Sequence, residues 1–309
     1  MRSALRGLRA SGFRGTLSGV RAVVILVMAV FGASTALATP SKRAALPHLL
    51  RWVDTSRTIE LPHGKREPRP VTTEFWYPPA RDGSGPFPLV VFGHGFASTP
   101  WWYRRLLRDW AAAGYVVAAP IFPLGNENAP GGPNESDIVN QPRDMSFVIT
   151  RVLAASAWSH SPLYGLVDPE KVAVAGQSDG AETAYATAYE SPFRDDRVRA
   201  ALVLSGAILG PSRYVEHDGV PLLAVQGTAD KINPPFYTHR LFRAAGRPKF
   251  LLLLHGAGHL PPYTQPGPTL ATVEHVTVAF LDHYLGDGPL AAIEQAAKPL
   301  PSAQLTIDP

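Results

Sequence analysis

Alternating strand-like and helix-like segments over residues 168–285 predict an α/β fold, a mostly parallel sheet with helices on both faces. Three observations carry this. Short continuous apolar runs at residues 89–92, 172–175 and 250–254 suit strands buried on both sides. Helical spacing lies between such runs, as where Trp102, Leu106, Trp110 and Ala113 recur about one turn apart. A glycine-flanked turn, Gly176-Gln177-Ser178-Asp179-Gly180, joins one apolar run to a helical stretch.

In chain order, Arg2, Arg6, Arg9, Arg14 and Arg21 precede the apolar run 22–31, and Ala36-Leu37-Ala38 follows. That is a secretory signal pattern with cleavage expected after Ala38, because the run is short for a membrane span and the small residues suit a signal peptidase. Residues 39–309 then form one expected domain, secreted or periplasmic. Removing the five arginines from 29 basic residues leaves 24 against 25 acidic ones, so the mature chain is near neutral and no nucleic-acid partner is expected. The membrane is expected to meet the chain only transiently, through the signal. The sequence has no cysteine, which excludes disulfides and thiolate metal sites.

Residues 51–59 and 70–76 read as antiparallel edge strands around the turn-rich stretch 61–65, and 81–88 as a loop. The strand at 89–92 runs into Gly93-His94-Gly95-Phe96. The helix 102–113 closes at Gly114 and a strand at 115–119 follows. Residues 123–142 hold four prolines, three glycines and four asparagines without either period. They read as a long surface loop and a possible lid. Helix 143–155 places Met145, Val148, Ile149 and Val152 on one face. Strands at 172–175, 200–204, 221–225 and 250–254 and helices at 181–190, 236–245 and 273–284 complete the alternation. Residues 286–309 read as a proline-ended tail with weak helical character near 290–297.

A serine hydroxyl needs an adjacent base and a group that orients the base. On a sheet of this kind the acid follows the serine and the histidine comes last. Asp230, in Gly227-Thr228-Ala229-Asp230, and His259, in Gly256-Ala257-Gly258-His259, both stand in that order just past predicted strands. Such loops are where open α/β sheets assemble their sites. Ser178 is thus the candidate nucleophile, His259 the base and Asp230 the acid. His255 is the competing base, His94 has an expected structural role in its loop, and Asp218 is an expected surface turn residue. The remaining histidines show no metal-ligand spacing, so no catalytic metal is expected, and a serine hydrolase of this kind is expected to need no cofactor. Backbone N–H groups of Phe96 and Asp179 are the candidate oxyanion donors. Trp101, Trp102 and Tyr103 read either as an acyl pocket or as core.

These residues resemble the α/β-hydrolase superfamily, in the branch of dienelactone hydrolases, cutinase-like polyesterases, chlorophyllases and the platelet-activating factor acetylhydrolase type. The resemblance spans roughly residues 70–285 and is carried by HGF at 94–96, GQSDG at 176–180, GTAD at 227–230 and GAGH at 256–259. It implies an eight-stranded sheet, a Ser178-Asp230-His259 triad and Phe96 and Asp179 as oxyanion donors. Serine replaces the cysteine of dienelactone hydrolases. Asp179 and Ser205-Gly206-Ala207 stand where cutinase-type enzymes carry methionine and tryptophan. The implied function is hydrolysis of small-molecule or lipid esters through an acyl-enzyme; an acyltransferase on the same triad and a non-catalytic binding protein are the alternatives.

Overall fold

A computed structural model describes residues 48–78, 85–209 and 219–309. The expected signal segment 1–38, the first half of the loop at 81–88 and Asp218 lie outside the described residues. The strands are β1 (His48–Glu60), β2 (Arg66–Trp76), β3 (Phe87–Gly93), β4 (Val116–Pro120), β5 (Val167–Gln177), β6 (Val198–Leu204), β7 (Leu222–Gly227), β8 (Lys249–Leu254) and β9 (Ala303–Asp308). They form one sheet in the order β1-β2-β4-β3-β5-β6-β7-β8-β9. The six strands from β4 to β8 in that order are parallel to one another, while β1, β2 and β9 pair antiparallel at the two edges.

Eight of these strands are the expected ones. The ninth, β9, corrects the eight-stranded expectation. It lies in the segment read as a tail and pairs with β8 from Lys249 opposite Asp308 to Leu254 opposite Ala303. Its residues are half-buried or exposed, so it lacks the apolar run that marks the central strands.

Helices α1 (Arg104–Ala113), α2 (Gln141–Ala157), α3 (Asp179–Tyr189), α4 (Phe236–Ala244), α5 (Pro261–Thr264), α6 (Pro268–Leu285) and α7 (Ala291–Ala297) cover both faces. Strand alternation assigns the two cores. Val90 and Phe92 of β3 and Ala173 and Ala175 of β5 face the core built with Trp110 of α1 and Phe280 of α6. Their neighbours Leu89, Val91, Val172 and Val174 face the opposite core, with Met145 of α2 and Tyr185 of α3. Gly114 closes α1 at φ 116, a left-handed conformation that glycine adopts without a Cβ penalty. Helix α6 starts five residues before the expected position because Pro268 fits the first turn, where its missing N–H is not needed. No helix among the described residues is long and apolar enough to cross a membrane.

Residues 123–142 are more ordered than the loop expected from their composition. A 3₁₀ helix spans Glu135–Asn140, and Gln141 and Pro142 already belong to α2. Charge pairing explains the order. Arg69 of β2, 1% exposed, bonds both oxygens of Asp137 at 2.9 and 2.7 Å and both oxygens of Asp144 at 2.7 and 2.6 Å. Arg57 adds a bond of 2.8 Å to Asp144 and one of 3.2 Å to the Asn140 carbonyl. Planar guanidinium forks bind carboxylates in this two-pronged way, and the network ties the segment to the sheet edge.

Candidate active site

Strand β5 ends at Gln177 and α3 begins at Asp179, so Ser178 alone makes the turn. Its backbone sits at φ 58 and ψ −121. This sparsely populated region costs a non-glycine residue about 1–3 kcal/mol and persists only where the surroundings impose it. They do so here through contacts that leave no room for side chains. A Cβ on Gly176 would lie 2.0 Å from the Gly180 carbonyl oxygen, and one on Gly180 would lie 2.0 Å from that of Gly93. Both glycines are therefore required by the close approach of α3 to β3 and β5.

The structure brings together three of the residues expected from sequence. Ser178 Oγ lies 3.0 Å from Nε2 of His259, and Nδ1 of His259 lies 2.7 Å from Oδ2 of Asp230. With Nδ1–H donated to the carboxylate, Nε2 is left to accept the serine proton. Burial pushes the Asp230 carboxyl up, but His259 and the N–H groups of Asn233 and Ile232 outweigh it, and its pKa falls below the usual carboxylate value. Both N–H groups donate to Oδ1 at 2.9 Å. Asp230 is thus held ionised, the state that orients an imidazole.

His255 is not part of this chain of bonds. It is exposed and pairs with Gln304 of β9 at 3.2 Å. His94 is 1% exposed and bridges two backbone groups: Nδ1 lies 2.8 Å from the Gly95 carbonyl, and Nε2 accepts from Phe122 N–H at 3.0 Å. Desolvation lowers its pKa to about 4, so it holds its loop as a neutral ring. That loop runs against Ser178, since a Cβ on Gly95 would lie 3.2 Å from Ser178 Cβ. Phe96 follows Gly95 on this loop, and Asp179 opens α3 directly after the serine. Among the described residues neither backbone N–H meets an acceptor on another residue. Trp101 and Trp102 are exposed while Tyr103 is buried.

The hydrogen-bonding roles of four polar residues of the site escaped sequence reasoning. Gln177 donates to the His259 carbonyl at 3.2 Å, and the same nitrogen lies 3.2 Å from Nε2 of that ring. The Tyr103 hydroxyl donates to Gln177 Oε1 at 2.7 Å and accepts from Gly95 N–H at 3.3 Å, linking the Gly95 loop through Gln177 to His259. Asn233 donates to Ser178 Oγ at 3.3 Å and to the Ser205 carbonyl at 2.9 Å. Gln226 donates to Oδ2 of Asp230 at 3.3 Å. The one available signal was position: Gln177 lies inside the pentapeptide and Asn233 three residues after the acid.

Comparison with known proteins fits this arrangement. The family model of chlorophyllase matches residues 55–204, a stretch that holds Phe96, Ser178 and Asp179 and stops short of Asp230 and His259. Chlorophyllase-1 of Arabidopsis thaliana is 27% identical over 137 residues, 44% of this chain and 40% of that protein. The chain thus spans well under two thirds of that relative's length. A ferulic acid esterase from Streptomyces cinnamoneus has a similar fold, with a TM-score of 0.65 and 21% identity over 88% of this chain and 98% of that one. With a parallel sheet that feeds a strained serine into the first turn of α3, the chain has the α/β-hydrolase fold and is similar to chlorophyllase over residues 55–204.

Proposed function

We propose that the chain is an exported hydrolase of carboxylic esters that works through an acyl-enzyme on Ser178. The observation that carries this reading is the unbroken bonding from Ser178 through His259 to Asp230, at 3.0 and 2.7 Å. In the first half-reaction the Ser178 oxygen attacks the ester carbonyl as its proton passes to Nε2 of His259. The developing oxyanion takes hydrogen bonds from the N–H groups of Phe96 and Asp179. Nε2 then protonates the departing alcohol. Water repeats the sequence in reverse and frees the acid, so substrate and water alone balance the reaction.

The names of the two comparison proteins, a chlorophyllase and a ferulic acid esterase, support ester hydrolysis over acyl transfer to an alcohol. Exposed apolar side chains support an ester with a large apolar part, either a small molecule or a lipid. Phe96 is 38% exposed on the oxyanion loop, and Ile232 and Phe236, 69% and 55% exposed, follow Asp230. Trp101 and Trp102 extend the same character beyond Ser98 and Thr99. A fluorophosphonate probe is expected to label Ser178, read by peptide mass, and a p-nitrophenyl ester series from acetate to palmitate is expected to be cleaved. Labelling elsewhere, or none, would refute the reading. Export rests on the arginine-led apolar run and on Ala36-Leu37-Ala38. The protein recovered outside the cytoplasm is expected to begin at Thr39; a mature chain starting at Met1 would contradict export.

A further inference from the structure

Acyl transfer uses the backbone of Asp179 and leaves its carboxyl without a task. The residue is 2% exposed, and its Oδ2 has no hydrogen-bond partner among the described residues. Two further acids act on it. Glu182 stands one helical turn along the same face of α3, and Glu135 opens the 3₁₀ helix of the preceding segment; both push against a negative charge on Asp179. Glu182 is fixed by accepting from Leu209 N–H at 2.8 Å. From the oxyanion side the buried phenol of Tyr103 feels the Asp179 charge as well. The guanidinium groups of the neighbouring network are turned to other carboxylates: Arg69 to Asp137 and Asp144, and Arg57 to Asp54 and Asp144. The acids do not form a metal-binding group among the described residues.

A buried carboxylate with one oxygen unpartnered is costly, and the bond its own backbone N–H gives it offsets only part of that cost, so the proton stays on more readily than in water. Burial first, then Glu135 and Glu182, raise the Asp179 pKa to about 7. The residue therefore changes charge near neutral pH, one position from the nucleophile, where negative charge develops on the reacting carbonyl.

We infer that Asp179 is a charge-selectivity residue, and that with Glu135 and Glu182 it forms an acidic corner beside Ser178 that accepts neutral or cationic acyl groups and disfavours anionic ones. The inference rests on the ester-hydrolase reading above. The sign follows from linkage: below the raised pKa Asp179 is neutral and repels least, and above it the carboxylate adds a third negative charge.

The test compares p-nitrophenyl hexanoate with mono-p-nitrophenyl adipate, which differ by a terminal carboxylate. In the unaltered protein the ratio of kcat/KM, hexanoate over adipate, is expected to rise about tenfold from pH 6 to pH 8, as a charge at close range in a partly desolvated site allows. Asp179→Asn keeps the backbone donor and removes the titration, so its ratio is expected to stay flat. Glu135→Gln, at an exposed position, removes a like charge and is expected to move the midpoint of the rise to lower pH. Glu135→Gln also decides the matter if Asp179→Asn fails to fold. A flat ratio in the unaltered protein, or an unmoved midpoint in Glu135→Gln, would overturn the inference. Fluorophosphonate labelling of the same preparations separates the two levels. Labelled Ser178 with a flat ratio rejects only the role of Asp179, whereas absent labelling and absent hydrolysis reject the esterase reading and this inference together.

Discussion

Ser178→Ala is expected to lower kcat toward p-nitrophenyl butyrate by about 10⁴-fold or more, with circular dichroism and melting temperature close to those of the parent. The hydroxyl is the only atom lost, and alanine has to accept the same strained backbone at φ 58. Asn233 keeps its 2.9 Å bond to the Ser205 carbonyl, so the pocket does not gain an orphaned amide. The remaining rate should reflect oxyanion donors and binding alone. Because Ser178 and His259 act as one unit, adding His259→Ala to Ser178→Ala is expected to change kcat by less than about threefold. Residual activity within tenfold of the parent would mean that another group attacks the ester, and the assignment of the nucleophile would fall.

Arg69→Ala carries the largest expected cost in stability, about 3–5 kcal/mol, because it strands two buried carboxylates rather than removing one contact. Asp144 is fully buried and Asp137 4% exposed, and Arg69 makes two bonds to each. Of these two acids Arg57 reaches Asp144 alone, so among the described residues the Asp137 carboxylate would keep just the Asn140 amide at 2.8 Å. Arg69→Lys is expected to recover little, since an ammonium cannot reproduce the planar fork. Urea unfolding checks the cost. If uncompensated charge is the cause, adding Asp137→Asn to Arg69→Ala should restore part of the midpoint. A loss below about 1 kcal/mol in Arg69→Ala would show that water already screens the network.

What the sequence made legible followed from how local each signal is. Central strands such as residues 89–92 and 172–175 were readable because burial on both faces makes every position apolar. Ser178, Asp230 and His259 were readable because each falls in the loop that follows a strand, so strand order brought them to one end of the sheet. Gln177, Asn233 and Tyr103 were not, because an amide or phenol acquires its role only from what converges on it. Asn233 meets Ser178 across 55 residues of chain and Tyr103 meets Gln177 across 74. The side chain of Asp179 was opaque for the same reason, as its charge state is set first by burial and then by Glu135 of another element and by Glu182. Order in residues 123–142 was hidden because the partner that imposes it, Arg69, lies on β2.

Strand β9 gives the end of the described chain a hold on reactivity far from it in sequence. It covers the open side of β8, the run Phe250-Leu251-Leu252-Leu253-Leu254, whose uncovered backbone would be a template for pairing between molecules. Just beyond β8, on the way to His259, the N–H of His255 is held by the Ser302 carbonyl at 2.8 Å. The far end is fastened by Asp308 to Arg247 at 2.6 Å and Lys249 at 3.8 Å. Loss of the β9 pairing would loosen the loop that carries His259 and bare an adhesive edge in the same stroke, so both effects would arrive together.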